Sequence, residues 1–180
     1  GEENPFDALF AEMYGQSTTT VGLNDLLSNI ALAKDNDKVL GIYLKGGSLS
    51  AGPASAKAIR DALIDFKQSG KFIIAFADSY SQTNYYIASV ADKIFLNPVG
   101  SLAWDGLSAE KIYVTRLYEK IGIEMQILKV GTFKSAVEPY FRTSMSEADR
   151  KQTEQYLGGI WSEMKTAVGQ SRQIAAEQLH

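Results

Sequence analysis

The fold follows from a six-residue apolar run at positions 72–77, Phe-Ile-Ile-Ala-Phe-Ala. A short apolar run that is rich in β-branched and aromatic side chains is typical of a buried strand. Segments with helical spacing of apolar residues flank it at 53–66 and 84–91. The first begins at Pro53 and is followed by Gly70, where a carboxyl-terminal cap belongs. The sequence therefore predicts a helix-strand-helix unit here.

The same alternation continues in both directions along the chain. Further strands are predicted at 39–44, 93–96 and 125–130, and further helices at 23–33, 111–121 and 147–171. Repeated strand-helix alternation implies parallel strands joined by crossovers, with the helices packed outside the sheet. We therefore predict one α/β domain over residues 1–180, with a mostly parallel sheet and external helices.

The composition excludes several classes of chemistry. The 180 residues include 18 basic and 21 acidic side chains, no cysteine, and a single histidine at the last position, His180. Without cysteine there is no thiolate nucleophile and no cysteine zinc site, and a terminal histidine is a poor member of a catalytic triad or metal site. A net charge of -3 gives no electrostatic reason to expect nucleic acid as a partner. We predict no cofactor and no metal, which leaves lysine, carboxylates, hydroxyls and backbone amides for catalysis.

Ligands of a parallel sheet bind at the carboxyl ends of its strands, and two of these ends favour structural interpretations. The loop at 45–53 is rich in glycine but lacks the ending of a phosphate-binding loop, so a plain connection is favoured. The next loop is rich in hydroxyls. We interpret Ser79, Ser81 and Thr83 as helix caps, because only Asp78 is near enough in the sequence to act as a base.

The third strand end contains a lysine in apolar surroundings. Lys134 follows Gly131 and has Phe133, Ala136 and Val137 as neighbours. Burial and the positive end of a helix both lower the pKa of a lysine, which favours the neutral amine that a general base requires. Since most lysines extend to solvent, these residues alone leave a solvated lysine and a catalytic lysine both open.

Other polar and aromatic residues are given structural interpretations. Trp104 and Trp161 are predicted to be core or interface aromatics. No partner for Glu138 is evident from the sequence, and the charge-rich segment at 147–151 is predicted to be an exposed helix start. None of these residues is assigned a catalytic role.

Three segments together resemble a known family. They are VGTFKSAVEP at 130–139, SQTNYYIAS at 81–89 and DKIFLNP at 92–98. In this order and spacing they resemble the amino-terminal half of long-form signal peptide peptidase A, also called protease IV. The resemblance implies an α/β spiral of the ClpP and crotonase group. It also implies that the chain is the first of two tandem homologous halves, with the second half and a membrane segment outside it.

The resemblance further implies a serine endopeptidase with a Ser-Lys dyad. Lys134 matches the general base of the family, which the first half supplies, while the serine comes from the second half. Ser135 is a candidate for orienting Lys134 by a hydrogen bond. The serine motif of the second half reads roughly Ala-Ser-Gly-Gly-Tyr, and alignment of its tyrosine with Tyr85 places Gln82 at the nucleophile position and Ser81 one residue away. We therefore expect this half to be inactive alone.

The family context sets expectations for partners and location. The implied partners are the carboxy-terminal half, signal peptides or other unfolded apolar peptides, and further copies in a homo-oligomer. The implied location is the bacterial inner membrane, with the catalytic part on the periplasmic side. Two alternatives stay open: a noncatalytic half that shapes a substrate groove or an oligomer interface, and a crotonase-like acyl-CoA enzyme.

Overall fold

The structure, a computed structural model, describes residues 21–47, 49, 51–126 and 135–179, apart from the side chain at position 176. The chain divides into two compact units, Gly1–Ala103 and Trp104–His180.

The first unit alternates helices and parallel strands. In chain order these are α1 (Leu23–Asp35), β1 (Gly41–Lys45), α2 (Pro53–Lys67), β2 (Phe72–Ala77), α3 (Gln82–Ala88) and β3 (Lys93–Leu96). The strands form a parallel sheet in the order β1-β2-β3, so that Leu44, Ala75 and Ile94 lie in one row. The predicted α/β class with parallel strands is confirmed by this three-stranded sheet.

The core of this unit is centred on β2. Its residues Ile73, Ala75 and Ala77 are almost fully buried, whereas Phe72 is 49% exposed on the other face. The strand therefore buries every second side chain, as the two-residue period of a strand requires. The helices α1 and α3 both pack against α2, which adds the following buried apolar side chains to the core: Ala56, Ile59, Leu63 and Phe66.

The end of α1 is fixed by one lysine. Lys71 Nζ donates to the carbonyl oxygens of Ala33, Lys34 and Asn36 at 2.8, 2.7 and 2.8 Å. These carbonyls lie at the helix end, where a cation is favoured and where the last carbonyls lack donors within the helix; Asn36 O also accepts from Val39 N at 2.9 Å. Lys71 precedes β2 directly, so the contact ties α1 to the central strand.

The second unit contains less regular structure among its described residues. Its elements are α4 (Thr115–Ile121), a 3-10 helix (Ser135–Tyr140), α5 (Glu147–Arg172) and a short 3-10 helix (Ala176–Gln178). The ring centroids of Trp104 and Trp161 lie 4.9 Å apart, so these two half-buried indoles contact each other. In the part of the chain that is described, no helix has both the length and the apolar character that a membrane span needs.

Several predicted boundaries differ from the structure. The helix predicted at 111–121 begins only at Thr115, because Val114 N donates to Pro139 O at 2.9 Å instead of to a carbonyl within a helix. The helix predicted at 84–91 spans Gln82–Ala88. Gly70 has a φ of +79° but lies three residues beyond the last residue of α2, in the turn that follows. Of the strand predicted at 125–130, the first two residues are irregular and the others lie outside the described residues.

Candidate functional site

The carboxyl ends of the three strands meet at one edge of the sheet in the first unit. Gly46 N donates to Phe76 O at 2.7 Å, and Asn97 N donates to Ala77 O at 3.0 Å. The residues that follow β1 and β3 therefore remain hydrogen-bonded to β2. Gly46 lies against Ala77 so closely that an added Cβ would collide with it. The Asn97 side-chain amide donates to Asp78 Oδ1 at 2.9 Å. The Asp78 carboxylate is therefore bound to an amide at this edge.

The serines that follow β2 have structural contacts. Ser81 is the N-cap of α3, and its hydroxyl oxygen accepts from Asn84 N at 3.3 Å, which confirms the capping prediction for this residue. The prediction is wrong for Ser79, whose oxygen accepts from Ser101 N at 3.2 Å in the loop after β3. Gln82, at the predicted nucleophile position, is the half-buried first residue of α3. Its carboxamide has no nucleophilic oxygen for attack on a peptide bond.

A cavity of about 320 Å³ opens beside this edge of the sheet. Asn84 Nδ2 donates to Gly47 O at 2.5 Å and so ties the start of α3 to the loop after β1. A volume near 300 Å³ is at the lower end of the range for small-molecule sites. The walls are mainly apolar and come from the following residues: Leu26, Tyr43, Leu44, Lys45, Gly46, Gly47, Leu49, Ile59, Tyr80, Asn84 and Ile87.

The cavity has one buried phenol in its wall. Tyr80 is 3% exposed, and its hydroxyl donates to Phe95 O at 3.3 Å. Burial raises the pKa of Tyr80, with smaller contributions from Tyr43 and Tyr85. Tyr80 is therefore neutral at physiological pH and acts here as a hydrogen-bond donor.

The second unit contains two buried carboxylates that the sequence did not reveal. Glu138 and Asp149 are each 2% exposed. Lys111 Nζ lies 2.6 Å from both carboxylate oxygens of Asp149. Glu138 accepts from Ser146 N at 3.1 Å and from the Ser146 hydroxyl at 2.7 Å, and Arg142 Nε lies 3.9 Å from its carboxylate. Both buried charges are thus compensated, as burial of an ionised group requires.

Asp149 stays ionised in spite of its burial. Burial by itself raises the pKa of this carboxyl, but hydrogen bonds from Lys111 and Ser135, together with the Lys111 charge, outweigh it and lower the pKa of Asp149 below its ordinary value. Because the folded-state pKa is below the unfolded one, the contact stabilises the fold above about pH 4. That stability is lost as the pH falls through the folded-state pKa.

The sequence-predicted site residues are only partly described. Lys134 lies outside the described residues. Its neighbour Ser135 is the half-buried first residue of the 3-10 helix. The prediction of an exposed helix start at 147–151 is wrong at Asp149, because Lys111 binds it from 38 residues away. The sequence gives one signal in this region, the capping spacing between Ser146 and Asp149. That spacing predicts a helix start but does not indicate that Asp149 is buried.

Metal binding receives no support from the described residues. In the ranges 21–126 and 135–179, apart from the gaps at 48 and 50, no group of three or more histidines or carboxylates is placed to hold a metal ion. The two buried carboxylates of the second unit, Asp149 and Glu138, are instead bound to lysine, serine and backbone donors. These contacts hold segments of the second unit together and leave no set of carboxylates arranged around an ion among the described residues.

Replacing Ser81 by alanine is expected to destabilise this chain by about 1 kcal/mol, because the N-cap bond to Asn84 N is lost. The midpoint of thermal unfolding measures the effect. Ser28, exposed on α1, is the matched control, and Ser28→Ala is expected to stabilise slightly because alanine is the better helix former. Equal effects of the two substitutions would contradict the capping role.

Comparison with known proteins gives consistent matches. The model of "Peptidase family S49" matches residues 65–180. "Protease 4" of Haemophilus influenzae is 37% identical over 160 residues, which is 86% of this chain and 25% of that protein. "Protease 4" of Salmonella typhi is 35% identical over 176 residues, 96% of this chain and 28% of that protein.

A plant protein is also similar. "Serine protease SPPA, chloroplastic" of Arabidopsis thaliana is 30% identical over 142 residues, covering 79% of this chain and 21% of that protein. The chain thus spans about a quarter of the length of the curated relatives that it matches.

Proposed function

Because the chain belongs to peptidase family S49, we propose that it is the part of a serine endopeptidase that supplies the general base. In this proposal Lys134 is the base, and the nucleophilic serine lies outside residues 1–180. The observation that carries the proposal is the start of α3. There the hydroxyl of Ser81 is an N-cap acceptor and Gln82 follows it, so this unit offers no serine in the nucleophile position.

The proposed reaction needs only groups that the composition allows. The neutral amine of Lys134 takes the proton of the serine hydroxyl, and the serine oxygen attacks the peptide carbonyl carbon. Backbone amides stabilise the oxyanion that forms. The lysine ammonium then gives its proton to the leaving amine, and water, deprotonated by the same lysine, releases the acyl group from the serine.

The wider proposal places the chain in a larger assembly. We infer a ClpP and crotonase-like α/β spiral, in which this chain is the first of two tandem homologous halves. The partners are the carboxy-terminal half, apolar unfolded peptides such as residual signal peptides, and further copies in a homo-oligomer. The proposed location is the bacterial inner membrane, with the catalytic part on its periplasmic side. The α/β alternation of the first unit and the names of the relatives support this context.

A substrate comparison on the natural full-length protein tests the reaction class. We expect hydrolysis of an unfolded apolar peptide and no turnover or binding of an acyl-CoA thioester. Casein and a synthetic signal peptide serve as peptide substrates, and acetyl-CoA and palmitoyl-CoA serve as thioesters. Thioester turnover without peptide hydrolysis would overturn the peptidase proposal in favour of a crotonase-like enzyme, and binding without turnover of either would favour a noncatalytic role.

A further inference from the structure

One face of the sheet in the first unit is lined by large apolar side chains. Successive side chains of a strand alternate between the two faces, so Phe72, Ile74 and Phe76 of β2 share this face. In the strand register Tyr43 of β1 lies beside Ile74, and Phe95 of β3 lies beside Phe76. We call this surface the aromatic face, and its residues are Tyr43, Phe72, Ile74, Phe76 and Phe95.

The aromatic face is exposed in this chain. Tyr43 is 61% exposed, Phe95 51% and Phe72 49%. The Phe72 ring lies close to β1, where a Cβ added to Gly41 would collide with it, so the patch continues from β2 to β1. An aromatic side chain has about 150–250 Å² of surface, so these three together expose roughly 300 Å². Parallel sheets are covered on both faces, and an apolar patch of this size commonly marks an interaction site.

The charges on this face indicate the kind of surface that covers it. Lys45 lies beside Phe76, Lys93 lies beside Ile74, and both lysines are exposed. The three strands contain no acidic residue. A second copy that docked through the same face about a two-fold axis would bring lysines toward lysines, which is unfavourable. A different surface, apolar at its centre and with carboxylates at its rim, fits this face better.

We propose that the aromatic face is the docking surface for the carboxy-terminal half of the natural protein. The inference rests on the proposed function, in which that half lies outside residues 1–180. This chain spans about a quarter of the length of its bacterial relatives, so a polypeptide of that length has ample further chain to cover the face. The proposed reaction needs such a surface, because a base and a serine from different halves must be held within about 3 Å of each other.

Site-specific photocross-linking in the natural full-length protein tests the proposal. The photoreactive residue p-benzoylphenylalanine takes the place of Phe95 in one variant and of Tyr43 in another, and mass spectrometry identifies the cross-linked peptides. We expect both positions to cross-link to peptides of the carboxy-terminal half. Ser28, exposed on α1 and outside the aromatic face, is the matched control position and is expected to give no such cross-link.

A carbodiimide, which joins a lysine amine to a carboxylate in direct contact with it, tests the charge of the partner surface. We expect amide cross-links from Lys45 or Lys93 to acidic residues of the carboxy-terminal half. Lys38, exposed in the turn before β1, is the control and is expected to give none. If neither Lys45 nor Lys93 is joined to that half, the proposed partner surface is wrong.

The mapped peptides decide between the possible occupants of the face. Photocross-links to residues 1–180 would overturn the proposal: in a product of one chain they would mean that the chain covers its own face, and in a product of two chains that a second copy does. The absence of any cross-link from positions 43 and 95 would show that the face stays open, which also overturns it. Thermal unfolding identifies a variant that fails to fold, and the other position then decides.

The outcomes also separate this inference from the function on which it rests. If Lys134→Ala is inactive while the photocross-links fall within residues 1–180, the docking surface is wrong and the proposed base stands. If Lys134→Ala retains activity while the photocross-links reach the carboxy-terminal half, the proposed base is wrong and the docking surface stands.

Discussion

Lys134→Ala in the natural full-length protein is expected to lower kcat/KM for peptide hydrolysis by at least about 100- to 10,000-fold. This is the usual contribution of a general base, and a serine without its base is a weak nucleophile. The variant is expected to unfold at the same temperature as the parent, because the following 3-10 helix is anchored through Glu138, which accepts from Ser146 N and from the Ser146 hydroxyl.

The control for this substitution is another lysine of the same unit. Lys151 is exposed on α5, and Lys151→Ala makes the same substitution outside the proposed site. We expect it to retain parental activity. Peptide turnover by Lys134→Ala within about threefold of the parent would show that the base is elsewhere.

The isolated 180-residue chain is expected to hydrolyse no peptide, even at high concentration. The proposed counterpart of the nucleophile position is Gln82, and the neighbouring Ser81 hydroxyl is an N-cap acceptor at the start of α3. A lysine base has no reaction to catalyse without a serine within reach. The measurement is release of labelled fragments from casein, with the natural full-length protein as the positive control and circular dichroism as the check on folding.

The Ser81→Ala variant identifies the source of any cleavage by the isolated chain. Turnover that rises in proportion to the chain concentration and disappears in Ser81→Ala would mean that this chain carries a nucleophile of its own. Turnover that persists in Ser81→Ala would indicate a contaminating peptidase and would not contradict the prediction that the isolated chain is inactive.

The first unit was largely predictable because its signals are local. The strands at 72–77 and 93–96 occur at the predicted bounds, since each apolar run is closed by polar or turn-forming residues on both sides. Pro53 starts α2 as expected, because its fixed φ suits the first turn of a helix. The helix predicted from Lys111 was too long, because hydrogen bonds from the residues before Thr115 to distant partners cannot be seen in helical periodicity.

The candidate site was predictable only where a motif covers it. The family motif contains Lys134, Ser135 and Glu138, but the burial of Glu138 depends on Ser146 eight residues later. The sequence predicts that Asp149 belongs to an exposed helix start, because its partner Lys111 is 38 residues away in the sequence. Charge patterns within one helix cannot show that a distant lysine will neutralise a carboxylate and permit its burial.

The most direct test of the central claim is the identity of the serine that reacts. Full-length protein is treated with a fluorophosphonate, and the modified residue is mapped by mass spectrometry in the parent and in Lys134→Ala. Since this reagent needs an activated serine, we expect one modified serine outside residues 1–180 in the parent and none in Lys134→Ala. Modification of Ser79 or Ser81, or modification that is unchanged in Lys134→Ala, would contradict the claim that this chain supplies the base and another segment supplies the nucleophile.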